Sequence, residues 1–172
     1  MDLFEVFKTR RSMRAFTDQP VEAEKLQAIL EAINLAPSAG NLQGYEVFVV
    51  HSKPVREAIA KAAYDQEFIV QAPVALVFCA NPARSAERYG ERGKTLYCVQ
   101  DATIACTHAH LAAVALGLSS VWVGAYDDDG VRQAIGIGKE LRPVAVLPIG
   151  YGARSPKARP RRELADLVHE IR

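Results

Sequence analysis

The residue types in this chain best suited to chemistry lie in the stretch Arg10-Arg11-Ser12-Met13-Arg14-Ala15-Phe16. Three guanidinium groups and a hydroxyl fall within five residues, behind a short apolar lead of Leu3, Phe4, Val6 and Phe7. Guanidinium forks grip phosphate oxygens in bidentate fashion, and a serine hydroxyl adds one more donor. A second basic run, Arg154, Lys157, Arg159, Arg161 and Arg162, lies at the other end of the chain. Two basic ends around a neutral apolar middle suggest one anionic ligand held from both sides. Between them, Pro37-Ser38-Ala39-Gly40-Asn41-Leu42-Gln43-Gly44 joins small residues, which let a backbone approach a flat ligand, to neutral hydrogen-bonding groups.

Reactive groups carried by the protein itself are missing. There is no G-x-S-x-G, no cysteine with a recognisable partner and no carboxylate pair at a catalytic spacing. His108 and His110 are two apart on an expected helix and face different sides, and His51 stands alone. All three read as surface or core histidines rather than metal ligands. Asp127, Asp128 and Asp129 precede an expected helix, where N-capping and dipole complementarity explain them better than a cation does. Gly136-Ile137-Gly138-Lys139 lacks phosphate-loop spacing and reads as a turn. An enzyme built this way needs a cofactor to carry its chemistry.

Composition narrows the classes further. The 172 residues suffice for a single domain, 1–172, with a real core. A formal net charge of +1 does not indicate a DNA-binding surface, so the basic residues are informative for being local. No apolar run approaches the roughly 18 residues needed to span a bilayer, and MDLFEVFKTRR lacks the basic-then-apolar order of a signal peptide. The three cysteines, Cys79, Cys98 and Cys106, form no C-x-x-C pair and read as small buried hydrophobes in a reducing cytoplasm.

The elements that must position these residues follow from periodicity and breakers. Residues 2–9 predict a short helix with Leu3, Phe4, Val6 and Phe7 on its apolar face. Leu26, Ile29, Leu30 and Ile33 predict an amphipathic helix over about 21–36, ended by Pro37. Strands are expected at 45–50, 74–79, 121–124 and 144–151, and a helix after Ser52. Residues 81–93 read as a mobile connection with one helical turn. Alanine-rich 94–116 predicts the central helix, stopped by Gly117. A short helix runs to about Ile135, and Leu164, Leu167, Val168 and Ile171 form a last amphipathic turn. Four strands interleaved with helices make an α+β sandwich around one sheet.

The ordered set of motifs resembles the FMN-dependent nitroreductase family over essentially the whole chain. It comprises R-R-S-x-R at 10–14, P-S-x-x-N-x-Q at 37–43, A-P-V at 72–74, D-A-x-I-A at 101–105, L-G-L-x-S at 116–120 and L-P-I-G-Y at 147–151, then R-x-R before Leu164. The resemblance implies a three-layer sandwich with a mostly antiparallel central sheet, in an intertwined homodimer with two FMN sites at the subunit interface. It implies that Arg10, Ser12, Arg159 and Arg161 bind the phosphate and ribityl end, aided by Arg11. Arg14 corresponds to the basic residue near the flavin N1 and C2 carbonyl edge. Pro37, Ser38, Ala39 and Asn41 would come from the partner subunit, with Gln43 near them, while Trp122, Val123, Gly124 and Ala125 would line the ring. Arg14 and a backbone N–H at Gly124, facing flavin N5, are the expected catalytic groups, and a cation at the N1 edge stabilises the negative charge that reduction places there.

The implied activity is ping-pong transfer of electrons from NAD(P)H through FMN to a small organic acceptor such as a nitro compound or quinone, without metal, membrane or nucleic acid. The alternatives are another flavin chemistry (enone reduction, dehalogenation) and a non-catalytic polyanion or nucleic-acid binder. Two departures stand out. Many members continue N-x-Q with Pro-Trp, where this chain has Gly44-Tyr45, and the segment between Cys79 and Asp101 is short, which predicts a more open pocket.

Overall fold

The computed structural model describes residues 1–172. In chain order the elements are α1 (Leu3–Thr9), α2 (Ala23–Asn34), β1 (Tyr45–Val50), α3 (Lys53–Ala62), α4 (Phe68–Gln71), β2 (Val74–Ala80) and α5 (Pro82–Arg92). There follow α6 (Cys98–Ala115), β3 (Ser119–Ser120), α7 (Asp128–Ile135), β4 (Arg142–Gly150) and α8 (Leu164–Leu167). A short 3-10 turn (Ala39–Asn41) precedes β1, and a π turn (Gly93–Tyr97) leads into α6.

β2 is apolar at every position and fully buried, because it lies inside the sheet and is covered on both faces. The strand order is β1-β2-β4-β3, with every pairing antiparallel. Successive side chains of a strand point to opposite faces. Ala75, Val77 and Cys79 therefore join one core with α3, α4 and α7, through Ile59, Ile69 and Val131. Val74, Leu76 and Phe78 join a second core with α2 and α6, through Ile29, Ile33, Ala105 and Ala109. The result is the expected α+β three-layer sandwich. All three cysteines are free and buried. Gly117, at φ +77°, ends α6.

Three expectations need correction. Residues 81–93 are helical rather than a mobile connection: the Asn81 side chain caps Arg84 N–H at 3.0 Å, Pro82 opens α5, and Gly90 kinks its end. The helix looks like a loop in sequence because Ser85 is its only buried residue.

The strand expected at 121–124 is instead the Ser119–Ser120 pair, followed by one isolated bridge between Val123 and Val146. The same register would set Val121 opposite Pro148, whose nitrogen has no hydrogen to donate, so the ladder breaks there. Lastly, α1 forms as expected but buries only Val6, leaving Leu3, Phe4 and Phe7 exposed.

β4 ends on Gly150, where an added Cβ would lie 2.6 Å from Pro73 Cδ and 3.2 Å from Phe16 Cδ1. The proline ring cannot swing away, so Gly150→Val should destabilise the fold by about 1–3 kcal/mol. A urea unfolding midpoint equal to the wild type's would show that no such close approach exists.

Candidate functional site

The site begins where α1 stops. Arg11 folds its guanidinium back and donates from Nη1 to the carbonyls of Lys8 at 2.6 Å and Arg10 at 2.8 Å, satisfying groups that a helix end leaves open. The Arg11 side chain is thus committed to the end of α1. The chain then runs as an extended arm. Ser12 makes a parallel bridge with Ser120, and Met13 N–H donates to Ser120 O at 3.1 Å. Phe16 bridges Gly152 antiparallel, flanked by bonds from Thr17 N–H to Tyr151 O and from Ala153 N–H to Ala15 O, both 2.9 Å. Met13 and Phe16 bury their side chains in the core on the α3 side, and Arg14 stays exposed.

These pairings bring the start of the C-terminal tail beside the arm. Between them opens a recess of about 1170 Å³. Lys8, Arg10, Arg11, Ser12 and Arg14 line one side; Arg154, Lys157, Arg159 and Arg161 line the other. Eight cationic side chains meet there with no carboxylate among the lining residues. Burial first, then the charges of Arg161 and Arg11, lower the pKa of Arg10. Arg14, Arg159 and Arg161 have neither an ion pair nor a side-chain hydrogen bond within the chain. Lys8 pairs with Glu5 at 3.1 Å, but the recess as a whole concentrates like charge with little compensation, which is the electrostatic form of an anion site.

Behind Arg10 stands a histidine with no expected role. His110, buried on α6, places Nε2 3.1 Å from Arg10 Nη1 and Nδ1 2.5 Å from Ser120 Oγ. Burial, reinforced by the Arg10 charge, pushes its pKa down to about 4. His108 points elsewhere, with Nδ1 3.2 Å from the Ala32 carbonyl, as the two-residue spacing predicts. No group of three or more His, Cys, Asp or Glu side chains is arranged to hold a metal, and no helix is long and apolar enough to cross a membrane.

The 37–44 loop is built by a second residue without a role in the sequence reading. Asp101, buried on the first turn of α6, accepts from Ala39 N–H at 2.9 Å and from Gly44 N–H at 3.2 Å. The polar loop residues bond to one another: Gln43 N–H to Ser38 Oγ at 2.9 Å, and Gln43 Nε2 to Asn41 Oδ1 at 2.5 Å. Gly40, Asn41 and Gln43 all adopt positive φ, so the loop is held in a conformation that most residues avoid. A proline at 44 would have no N–H for Asp101, which gives the Gly44 departure a physical reason. Pro37, Ser38, Ala39, Asn41 and Gln43 do not line the cationic recess of their own chain.

Nor do residues 122–125 line it. Trp122 is half-buried against the α2–α6 core, while Gly124 and Ala125 are exposed. Val123 N–H donates to Val146 O at 2.9 Å, so that donor is taken. The N–H groups of Gly124 and Ala125 donate to nothing within the chain. Because the Ser12–Ser120 bridge is parallel, Arg14 and this stretch leave it in the same direction.

The fold is an α+β three-layer sandwich with a cationic recess between arm and tail, and comparison with known proteins places the chain more closely. It belongs to the nitroreductase family, whose profile matches residues 7–67 and 60–151. It is 34% identical over 163 residues to a Methanothermobacter thermautotrophicus protein provisionally named NADH dehydrogenase/NAD(P)H nitroreductase, covering 92% of this chain and 82% of that one. It is 35% identical over 164 residues to the FMN reductase [NAD(P)H] of Bacillus subtilis, covering 88% and 66%. The structure of NADPH:FMN oxidoreductase from Vibrio harveyi, complexed with NAD+, superposes with a TM-score of 0.90 at 26% identity, over 99% of this chain and 77% of that one.

Asp101→Ala removes a buried acceptor and leaves two backbone N–H groups without a partner. It should cost about 2–4 kcal/mol. Amide hydrogen exchange at residues 38–44 should accelerate well before that of β2. Unchanged protection across the loop would rule out the clamp.

Proposed function

We propose that the protein is an FMN-dependent NAD(P)H oxidoreductase of nitroreductase type, acting on a small organic electron acceptor. The observation that carries this reading is the recess lined by eight cationic side chains and no carboxylate in a chain of this family. Relatives named FMN reductase and NADPH:FMN oxidoreductase support it.

The donor set suits the phosphate of FMN. A dianionic monoester would compensate the guanidinium charges of Arg10, Arg159 and Arg161, and the Ser12 hydroxyl adds a neutral donor. Arg11 contributes charge while its donors hold the end of α1. When bound, FMN supplies the two-electron redox chemistry that links NAD(P)H to the acceptor. The chain's part is to bind, orient and polarise. Arg14, exposed and free of partners, is the cation for the electron-rich edge of the ring. Gly124, with its N–H unspent, is the backbone donor beside the ring, together with Ala125, while Trp122 and Val123 fix their approach.

The assembly that completes the site is a homodimer. Pro37, Ser38, Ala39, Asn41 and Gln43 do not line the recess of their own chain and would serve a second copy. The surface supports this reading. Leu3, Phe4 and Phe7 are exposed beside an apolar groove of about 530 Å³ lined by Ala32, Leu111, Ala112 and Ala115. Leu164, Leu167, Val168 and Ile171 project from a tail that is exposed throughout residues 161–172. Lone surface apolar residues are ordinary, but a groove and an apolar tail together mark an interface. The whole chain acts as one FMN-binding unit, and its buried free thiols suit the reducing cytoplasm.

The test is the visible absorption spectrum of the purified protein before and after denaturation. Released FMN at about one per chain, with bleaching by NAD(P)H, is the expected outcome; a colourless protein that takes up no added FMN overturns the reading. Arg161→Ala should weaken FMN binding about tenfold, and Arg14→Ala should slow flavin reduction about 100-fold with little loss of flavin. Deleting residues 163–172 should shift gel filtration towards the monomer and lower flavin content; a deletion variant that stays dimeric would place the interface elsewhere.

A further inference from the structure

We propose that His110 is a positioning residue for the anion site: it accepts a hydrogen bond from the Arg10 guanidinium, and Ser120 locks the tautomer that makes this possible. The proposal rests on reading the recess as the FMN phosphate site. The geometry is a relay of two contacts, Arg10 Nη1 to His110 Nε2 at 3.1 Å and His110 Nδ1 to Ser120 Oγ at 2.5 Å.

The direction of each bond follows from the groups. A guanidinium has donors only, so Nε2 must offer its lone pair to Arg10. A neutral imidazole carries one proton, which then sits on Nδ1 and is donated to Ser120 Oγ. Burial among apolar neighbours and the adjacent Arg10 charge both disfavour a second proton, in keeping with a pKa of about 4.

A neutral acceptor at this position has a consequence that a carboxylate would not. An Asp or Glu behind Arg10 would neutralise it and compete with the incoming phosphate. An imidazole orients the guanidinium, uses one of its five N–H donors and leaves the full positive charge for the ligand.

Ser120 ties this to the backbone. Its carbonyl takes the Met13 N–H, its residue bridges Ser12, and its hydroxyl meets His110. One residue of β3 therefore sets the position of the arm and, through His110, the direction in which Arg10 points. Both supports are buried: Ser120 completely, and His110 on a helix packed against α1, α2 and the sheet.

The experiment is FMN titration of His110→Leu and His110→Gln, each in wild-type and Arg10→Ala backgrounds, with folding checked by circular dichroism. His110→Leu should weaken FMN binding about tenfold, with flavin reduction at saturating FMN close to wild type. His110→Gln, whose amide oxygen can accept from Arg10, should recover most of the affinity. In the Arg10→Ala background neither substitution should matter. Wild-type affinity in His110→Leu, or an equal loss with and without Arg10, overturns the proposal.

A second readout is independent of flavin and of any variant: the nitrogen NMR shifts of His110 in the wild-type chain at pH 6–8. A neutral imidazole protonated on Nδ1 is expected; a proton on Nε2 overturns the proposal. Should wild-type protein bind no FMN, the flavin reading fails. The tautomer and the same variant series titrated with inorganic phosphate would then decide the role of His110.

Discussion

Two short backbone pairings, Ser12 with Ser120 and Phe16 with Gly152, hold the N-terminal arm against the end of the sheet, and the cationic recess depends on them. Arg10 and Arg161 are far apart in sequence, and nothing local brings them together. Met13 and Phe16 supply the apolar anchors, so the hydrophobic effect holds in place a segment whose charges repel the tail opposite. A rigid scaffold with polar groups on its edges is how a small α+β domain can present a ligand site without burying charge in its core.

The electrostatics of the recess link binding to stability. Eight cations around a recess with no carboxylate in its lining, and only Lys8 ion-paired, are an unfavourable arrangement for the chain alone. An anion bound only by the folded state relieves that repulsion and adds its own binding free energy to the fold. The arm tolerates the concentration of charge because Met13 and Phe16 bury their side chains in the core on the α3 side while Arg14 stays exposed. His110 fits the same logic, since it restrains one cation without cancelling its charge.

The 37–44 loop shows how a polar, charged segment can become structural. α5 reaches back to it through Arg84 Nε, which donates to Leu42 O at 2.5 Å, and Asn81 N–H donates to Gly44 O at 2.8 Å. Asp101 holds the same loop from α6. Three residues at positive φ are kept in place by these bonds from outside. The π turn at Gly93–Tyr97 sits directly before α6, in the position where a change of helical register sets which side chains the first turn of α6 presents.

Most of the architecture was legible in the residues. The apolar run of β2, the periodicity of α2, the alanine content of α6 and the breakers Pro37 and Gly117 each express local physics, and local physics is what a sequence displays directly. The basic clusters were legible for the same reason, as was the capping role of Asp127, whose side chain accepts from Gly130 N–H at 2.7 Å. The helical state of 82–92 was hidden because a helix with one buried serine lacks an apolar stripe. The break at 121–122 was hidden because it depends on Pro148, a partner that only pairing reveals. Asp101 and His110 owe their roles to groups 62 and 100 residues away, Ala39 and Arg10. The sequence by itself determined which segments become helices and strands and which charges cluster. Only the tertiary structure decided which donor meets which acceptor, because a buried polar group is defined by its partner, and that partner is chosen by packing rather than by proximity in the chain.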